Sequence, residues 1–422
     1  MTKRERIILF LLAALNFTHT LDFMIMMPLG NYLSESFKIS AFQFSVLVGA
    51  YSISAFFSGI AISLFIDRFD RKNTLMYAYT GFLFGTVGCG FAGTYELLLT
   101  ARIVTGIFGG IIGAQVLSIV ADIFSYQRRG RAVGAVMAGF AIASILGVPV
   151  SLYLTNLLHK DWHVPFLLIG GIGTILLPFV AVYIPSVKDH IIAGHKNPGN
   201  KSVFGALVKV WKIKGQRQAL IFSGMLMVGH FLIIPFINPY LEFNKGFTKD
   251  QTPMIFLAGG GASLIAALYL GKLADRYGKL YVFSMSVILS LFLVFLVTQL
   301  PDIPFSLVLL IFSILFVFAT GRIIAAQAMV SEVVPAQHRG SFMSINGSIR
   351  ELGSGVAALV AGVIVHTDAT GKIHNYQWVG YLSIFVLIIT LLFARGIFHE
   401  FDISSRGTNI PEKDLVQESA NG

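Results

Sequence analysis

The sequence predicts an all-α membrane protein of twelve transmembrane helices, arranged as two pseudo-symmetric six-helix bundles. Three observations carry this prediction. Of the 422 residues, 55% are hydrophobic and only 12% are charged, with a mean hydropathy of +0.76. That leaves too little polar surface to solvate a soluble particle of this size. Apolar runs recur along the chain, each near the ~20 residues that cross about 30 Å of hydrocarbon as a helix. The chain also repeats itself at an offset near 208 residues.

The runs fall at 7–29, 42–65, 74–93, 97–122, 132–156, 165–184, 219–242, 252–274, 280–300, 305–333, 341–366 and 376–397. The first is too long for the apolar core of a secretory signal, contains Asp22 and lacks a small-residue cleavage site, so it is read as a mature helix. Barrel strands would read as ten-residue alternating segments, and these runs are unbroken. The single cysteine, Cys89, lies in the third run and excludes an internal disulfide framework. The expected organisation is a first bundle over 1–184, a linker over 185–218, a second bundle over 219–402 and a polar, disordered tail over 403–422. Within the linker, Phe204, Leu207, Val208 and Trp211 fall at helical spacing beside Lys201, Lys209, Lys212 and Lys214. They read as a short helix on an anionic leaflet, or else as an irregular basic linker.

Charge placement gives the orientation. Of the 31 Lys and Arg residues, 23 fall on the side of the N-terminus, 5 on the other side, and Arg102, Arg322 and Arg350 inside spans. By the positive-inside rule both termini are cytoplasmic in an inner (cell) membrane. The net charge of +10 is thus an orientation signal and implies no nucleic-acid partner. No Walker loop, HExxH pair or Cys/His cluster occurs in the sequence, so the expectation is no enzymatic activity, no cofactor and no metal.

The repeat aligns specific residues. Asp67-Arg68 after the second run recurs as Asp275-Arg276 after the eighth. Asp122, Gln127, Arg129 and Gly130 recur as Glu332, Gln337, Arg339 and Gly340, and Asp22-Phe23 falls opposite His230-Phe231. Six spans return the chain to the same side, so the halves are parallel repeats about an axis along the membrane normal. The charges at the span ends can latch the cytoplasmic ends of the bundles and release as they rock apart. Small Gly147 and amide-less Pro149 permit close helix contact and a bend.

These residues resemble a known family. The run Gly271-Lys-Leu-Ala-Asp275-Arg276-Tyr-Gly278-Lys279 is similar to the loop signature of the major facilitator superfamily. Its counterpart, Ser63-Leu-Phe-Ile-Asp67-Arg68-Phe-Asp70-Arg71-Lys72, keeps the Asp-Arg and the basic end but replaces both glycines. Arg102 with Gly106 resembles the R-x-x-x-G motif of the family. Gly147-Val-Pro149, with Trp162 and Pro165-Phe166 beyond it, resembles the variant of drug and sugar efflux permeases of the proton antiporter type. The resemblance, which runs to about residue 400, implies the major facilitator fold, alternating access, and spans 1, 4, 7 and 10 around a central cavity. It also implies a monomer in the lipid bilayer with a small-molecule substrate.

Ionisable side chains inside spans cost several kcal/mol unless they face a cavity or a partner, so each is a functional candidate. Counting helical rise, Asp22 lies about 12 Å and Arg102 about 9 Å below the outer surface, close enough in depth to meet. As a pair they can carry protons, with Asp22 the carrier; a static structural pair is the other reading. Arg322, Arg350 and Glu351 agree in depth at about 15 Å from the inner side. Glu351 can neutralise Arg322 or couple protons, leaving Arg350 for an anion or for Glu332. His19, His230, Asn16, Gln115, Asn238 and Gln327 are candidate polar cavity linings, with Tyr51, Phe236 and Tyr240 as aromatic walls. The expected function is proton-coupled export of small amphipathic compounds or sugars. Uptake or facilitated diffusion of a polar nutrient or organic anion is the alternative, with Arg322 and Arg350 as anion sites, and a transporter-like receptor the remote one.

Overall fold

The computed structural model describes residues 2–63, 69–124, 126–158, 161–186, 210–334, 339–368 and 370–407. Asp67, Arg68, residues 187–209 of the linker and the tail beyond 407 lie outside the described residues, as do the side chains of Arg129 and Arg339. The expected linker helix and disordered tail therefore lie largely outside them too.

Among the described residues, twelve spans follow in order. The first half comprises Lys3–Ile25, Ala41–Ser63, Arg71–Gly90, Tyr95–Ile123, a fifth span running from Tyr126–Ile142 into Val148–Leu157, and Val164–Tyr183. The second half comprises a seventh span opening with Lys214–Phe231, then Thr252–Tyr277, Lys279–Thr298, Phe305–Glu332, Arg339–Ile364 and Tyr376–Gly407. Eleven of these are long and apolar enough to cross a membrane by length and composition. The twelfth, Arg71–Gly90, opens on Arg71, Lys72 and Asn73, which dilute its hydropathy, yet it packs along the fourth and sixth spans.

Local chemistry sets the ends. Thr2 and Glu5 form a reciprocal capping box at the first span, and Thr94 caps the fourth by accepting from the Leu97 amide. The eighth span ends on Gly278 at φ +99°, a conformation open to glycine, and the ninth begins at once. At the repeat-related position the first half has Asp70, whose carboxylate accepts from the Lys72 amide. Here the departure from the glycine pattern is an N-cap that replaces a turn.

Two spans are irregular, the fifth at the bend that Gly147 and Pro149 permit and the seventh where its apolar run is continuous in the sequence. The fifth carries a π-helical turn over Ala143–Gly147, just before Pro149, which has no amide to donate. The seventh breaks after Phe231 into a short 3-10 turn at Ile234–Phe236 and a π turn at Tyr240–Asn244, with Pro235 and Pro239 in the break. An additional short helix, Gly30–Phe37, follows the first span.

The halves meet along the second and eleventh spans, where Gly49 and Gly355 approach so closely that a Cβ on either would lie 3.2 Å from the other's carbonyl. They meet again where the π turn and Val148–Leu157 pack on the eighth span, with Gly260 against Ile145. Small residues substitute here for the hydrophobic drive that lipid removes. Phe23 and Phe231, equivalent positions of the two repeats, touch with ring centroids 5.7 Å apart, placing the pseudo-twofold axis between the first and seventh spans.

Candidate functional site

The centre of the first half is a buried ion pair. Arg102 Nη1 lies 2.7 Å from Asp22 Oδ2, and both side chains are 0% exposed. The Thr86 hydroxyl donates to Asp22 Oδ1 at 3.1 Å, so the carboxylate is held from the fourth and third spans at once. Arg102 also lies over the ring of Tyr51, 4.6 Å from its centroid. Close backbone approach makes this possible: Gly106 stands where a Cβ would fall 2.3 Å from the Tyr51 carbonyl. Matching depths along two helices thus become a contact, because Asp22 and Arg102 also share an azimuth.

Polar atoms around the pair are left over. Arg102 Nε and Nη2, the Tyr51 hydroxyl, both amide atoms of Gln115 and His19 Nδ1 are buried without a hydrogen-bond partner among the described residues. His19 sits with its ring 6.2 Å from Tyr51 and 5.9 Å from Phe82. Asn16 instead donates to the Val136 carbonyl at 3.2 Å and ties the first span to the fifth.

The second half builds a related but different centre. Arg322, 1% exposed, donates through Nη1 to the Ser290 hydroxyl at 2.9 Å. Its Nη2 lies 2.7 Å from His230 Nδ1, an atom that must be unprotonated to accept this bond. Arg350 donates to Gln327 Oε1 at 3.2 Å. The expected pairing of Glu351 with Arg322 is not formed, since Glu351 lies beside Ser52 of the second span and its Oε2 has no partner. Depth counting could not distinguish these outcomes, because Glu351 turns toward the other half. Nor does Arg350 reach Glu332, which takes Lys279.

The remaining wall residues are dispersed. Phe236 packs edge-on against Phe44 at 6.0 Å, and Asn238 lies buried in the break of the seventh span. Tyr240 is not central: it stacks near Tyr376 and lines a cavity of about 590 Å³ with Asn244, Gln299, His374 and Trp378, at the membrane side opposite the termini.

At the terminal side Arg71 pairs with Asp122 and Lys279 with Glu332, repeat-related ties joining the third to the fourth span and the ninth to the tenth. Both ties lie within a half, so the expected latch between halves is not what they form. Asp275 faces solvent with no ion pair among the described residues, Arg276 stacks on Tyr277, and Gly271 has open space where a Cβ would point. Gly147 packs on Leu21 and Phe17 of the first span.

Between halves, the polar ties sit on the opposite side. Lys249 pairs with Glu35 at 2.6 Å and lies over the Tyr32 ring at 4.4 Å. Asn156, bonded to the Tyr32 hydroxyl, donates to the Lys249 carbonyl and to Asp250 Oδ1, each at 3.0 Å. Sequence reasoning missed these residues, and Thr86 and Ser290, because single polar residues in helix ends and loops and single hydroxyls in helices carry no distinguishing pattern.

Comparison with known proteins bears on the whole arrangement. The family model described as "Major Facilitator Superfamily" matches twice, over residues 12–228 and 219–414. An "Uncharacterized MFS-type transporter YceJ" of Bacillus subtilis is 22% identical over 88% of this chain and 91% of its own length. A "Probable sugar efflux transporter" of Helicobacter pylori is 22% identical over 94% of this chain and 96% of its own. Among solved structures, a D-xylose-proton symporter superposes with a TM-score of 0.71 at 16% identity, covering 91% of this chain and 96% of that one. At that identity the likeness is one of fold.

Proposed function

The chain belongs to the major facilitator superfamily, and from that membership we propose that it is a proton-driven exporter of small amphipathic compounds or sugars. It is a multi-pass membrane transporter, not an enzyme. The observation that carries the finer reading is the fully buried Asp22–Arg102 pair beside the pseudo-twofold axis. Ionised, Asp22 neutralises Arg102 and fixes the first span to the fourth. Protonated, it leaves the guanidinium without a counter-charge in a low-dielectric interior, a state relieved only when the spans move or another group approaches. The pair is therefore a proton-dependent tie between helices that line the path.

Alternating access follows from where the halves touch. Lys249, Glu35, Tyr32 and Asn156 tie the halves on the side opposite the termini, so release of these contacts would open that side and their formation would leave the terminal side as the point of entry. The 23 to 5 distribution of basic residues supports a cytoplasmic placement of the terminal side, with both termini. Substrate then enters from the cytoplasm, and proton uptake at Asp22 from outside returns the carrier. The name of the Helicobacter relative, a "Probable sugar efflux transporter", supports the outward direction. The second reading, uptake or facilitation of a polar nutrient or organic anion, is favoured by Arg322 and Arg350 in the second half.

Proteoliposomes with an imposed pH gradient, screened against labelled drugs, sugars and nucleosides, test the proposal. Accumulation against the direction of proton flow is expected. Movement with the protons overturns export, and indifference to the gradient overturns proton coupling.

A further inference from the structure

The two halves place an arginine against the same position of the repeat and treat its charge differently. In the first half Arg102, from the fourth span, meets Asp22 of the first, with the Thr86 hydroxyl from the third span completing the carboxylate's shell. In the second half Arg322, from the tenth span, meets His230 of the seventh, which is the repeat counterpart of Asp22, and the Ser290 hydroxyl of the ninth span. The kinds of partner are kept while the carboxylate is replaced by an imidazole and the arginine stands at a different level of its span, Arg322 following Arg102 by 220 residues where the repeat offset is near 208. Because His230 accepts from Arg322 through Nδ1, it is neutral in this arrangement.

Arg322 is thus a buried cation whose hydrogen-bonding partners are all neutral, with Nε unpartnered among the described residues. A second guanidinium, Arg350, stands on the eleventh span and, among the described residues, has the neutral Gln327 amide as its one hydrogen-bond acceptor. Glu351, next in sequence and near enough to act on the charge of Arg350, makes no ion pair with it among the described residues and lies beside Ser52 of the other half. Arg350 and Gln327 line a small cavity with Ser223, Met227 and Ile323, on the same three spans that carry His230, Arg322 and Arg350. Charges at membrane depth persist where a partner or a ligand compensates them.

We propose that Arg322 and Arg350 form an anion subsite, so that the transported compound carries a carboxylate or phosphate that these guanidinium groups take as the missing counter-charge. Two forked donors suit either oxyanion. His230 is the specificity element: a neutral acceptor leaves the charge of Arg322 available, where an acid would consume it. This rests on the transporter reading above but not on proton coupling, since anion binding needs no gradient.

The test measures binding to the purified full-length protein in detergent, at fixed ionic strength and without a pH gradient, by ligand-dependent thermal stabilisation. The probes are gluconate, glucose 6-phosphate and glucose. Gluconate or glucose 6-phosphate is expected to stabilise the wild type at concentrations at least tenfold below any effect of glucose, and the two arms tell carboxylate from phosphate. His230→Asp, which puts a carboxylate beside Arg322, is expected to fold and to lose that preference at least tenfold. Arg322→Gln is expected to do the same. Equal response to glucose and the anions, no response to either anion, or an anion preference retained in His230→Asp each overturns the proposal. Gradient-driven transport of neutral sugars by the wild type would in that case survive, which separates failure of the subsite from failure of the exporter reading.

Discussion

Removing one member of the Asp22–Arg102 pair should cost far more than removing both. The two charges are 2.7 Å apart and wholly buried, so Asp22→Leu leaves a guanidinium with the face of Tyr51 and no acid to answer it. Breaking a buried pair in this way costs about 3–5 kcal/mol, roughly a hundredfold to a few thousandfold in the unfolding equilibrium. Arg102→Met should cost less, about 1–3 kcal/mol, because the stranded Asp22 can take up a proton and keep its bond to Thr86. The double variant Asp22→Leu/Arg102→Met has neither buried charge and should lie within about 1 kcal/mol of wild type, since replacing a whole buried pair with apolar groups is close to neutral. The assay is a double-mutant cycle read by reversible unfolding in mixed micelles. Additive single-variant costs would refute the pairing argument, because residues in a shared network must couple. The isosteric Asp22→Asn belongs to a different experiment: its carbonyl still accepts from Arg102, so it tests charge without emptying the site.

Three further outcomes follow from the packing and the loops. Gly106→Val should destabilise by about 1–3 kcal/mol in the same micelle assay, because its Cβ would fall 2.2 Å from Ser54 Oγ and 2.3 Å from the Tyr51 carbonyl. Lys249→Ala removes the ion pair between halves, a partly exposed pair of about 0–1 kcal/mol. It should raise maleimide labelling of a cysteine at the buried Asn31 position by up to about fivefold, in a background without Cys89; an unchanged rate would show that the tie does not hold that side shut. In the loop before the last span, the Thr370 hydroxyl and His374 hold the Asp368 carboxyl well below the usual carboxylate range. A depressed acid stabilises above its unfolded pKa and loses that contribution as pH falls through the folded one. The Thr370 and Lys372 amides, which donate to Asp368, should therefore stay protected from hydrogen exchange at neutral pH and lose protection in Asp368→Ala.

The architecture was legible because lipid imposes a simple code: run length gives spans, basic residues give sides, and the internal repeat gives the pairing of halves. The repeat even identifies the ties Arg71–Asp122 and Lys279–Glu332 as equivalents. Depth counting brought Asp22 to Arg102 but misassigned Glu351 to Arg322, since rise along a helix fixes height and says nothing of azimuth. The break in the seventh span had a signal in Pro235 and Pro239, which run length alone overrode. Tyr240 was misplaced for the same reason: once the helix breaks, its residues no longer keep the register of a continuous span. Contacts such as Lys249 with Glu35 bring together residues 214 apart in sequence, and no local pattern encodes them.

The most direct test of the central claim compares wild type with Asp22→Asn in proteoliposomes, measuring two quantities on one preparation: substrate exchange without a gradient, and accumulation driven by an imposed pH gradient. If Asp22 carries the coupled proton, the variant keeps exchange but loses gradient-driven accumulation, while the wild type shows both. Accumulation by Asp22→Asn at the wild-type level would contradict the account.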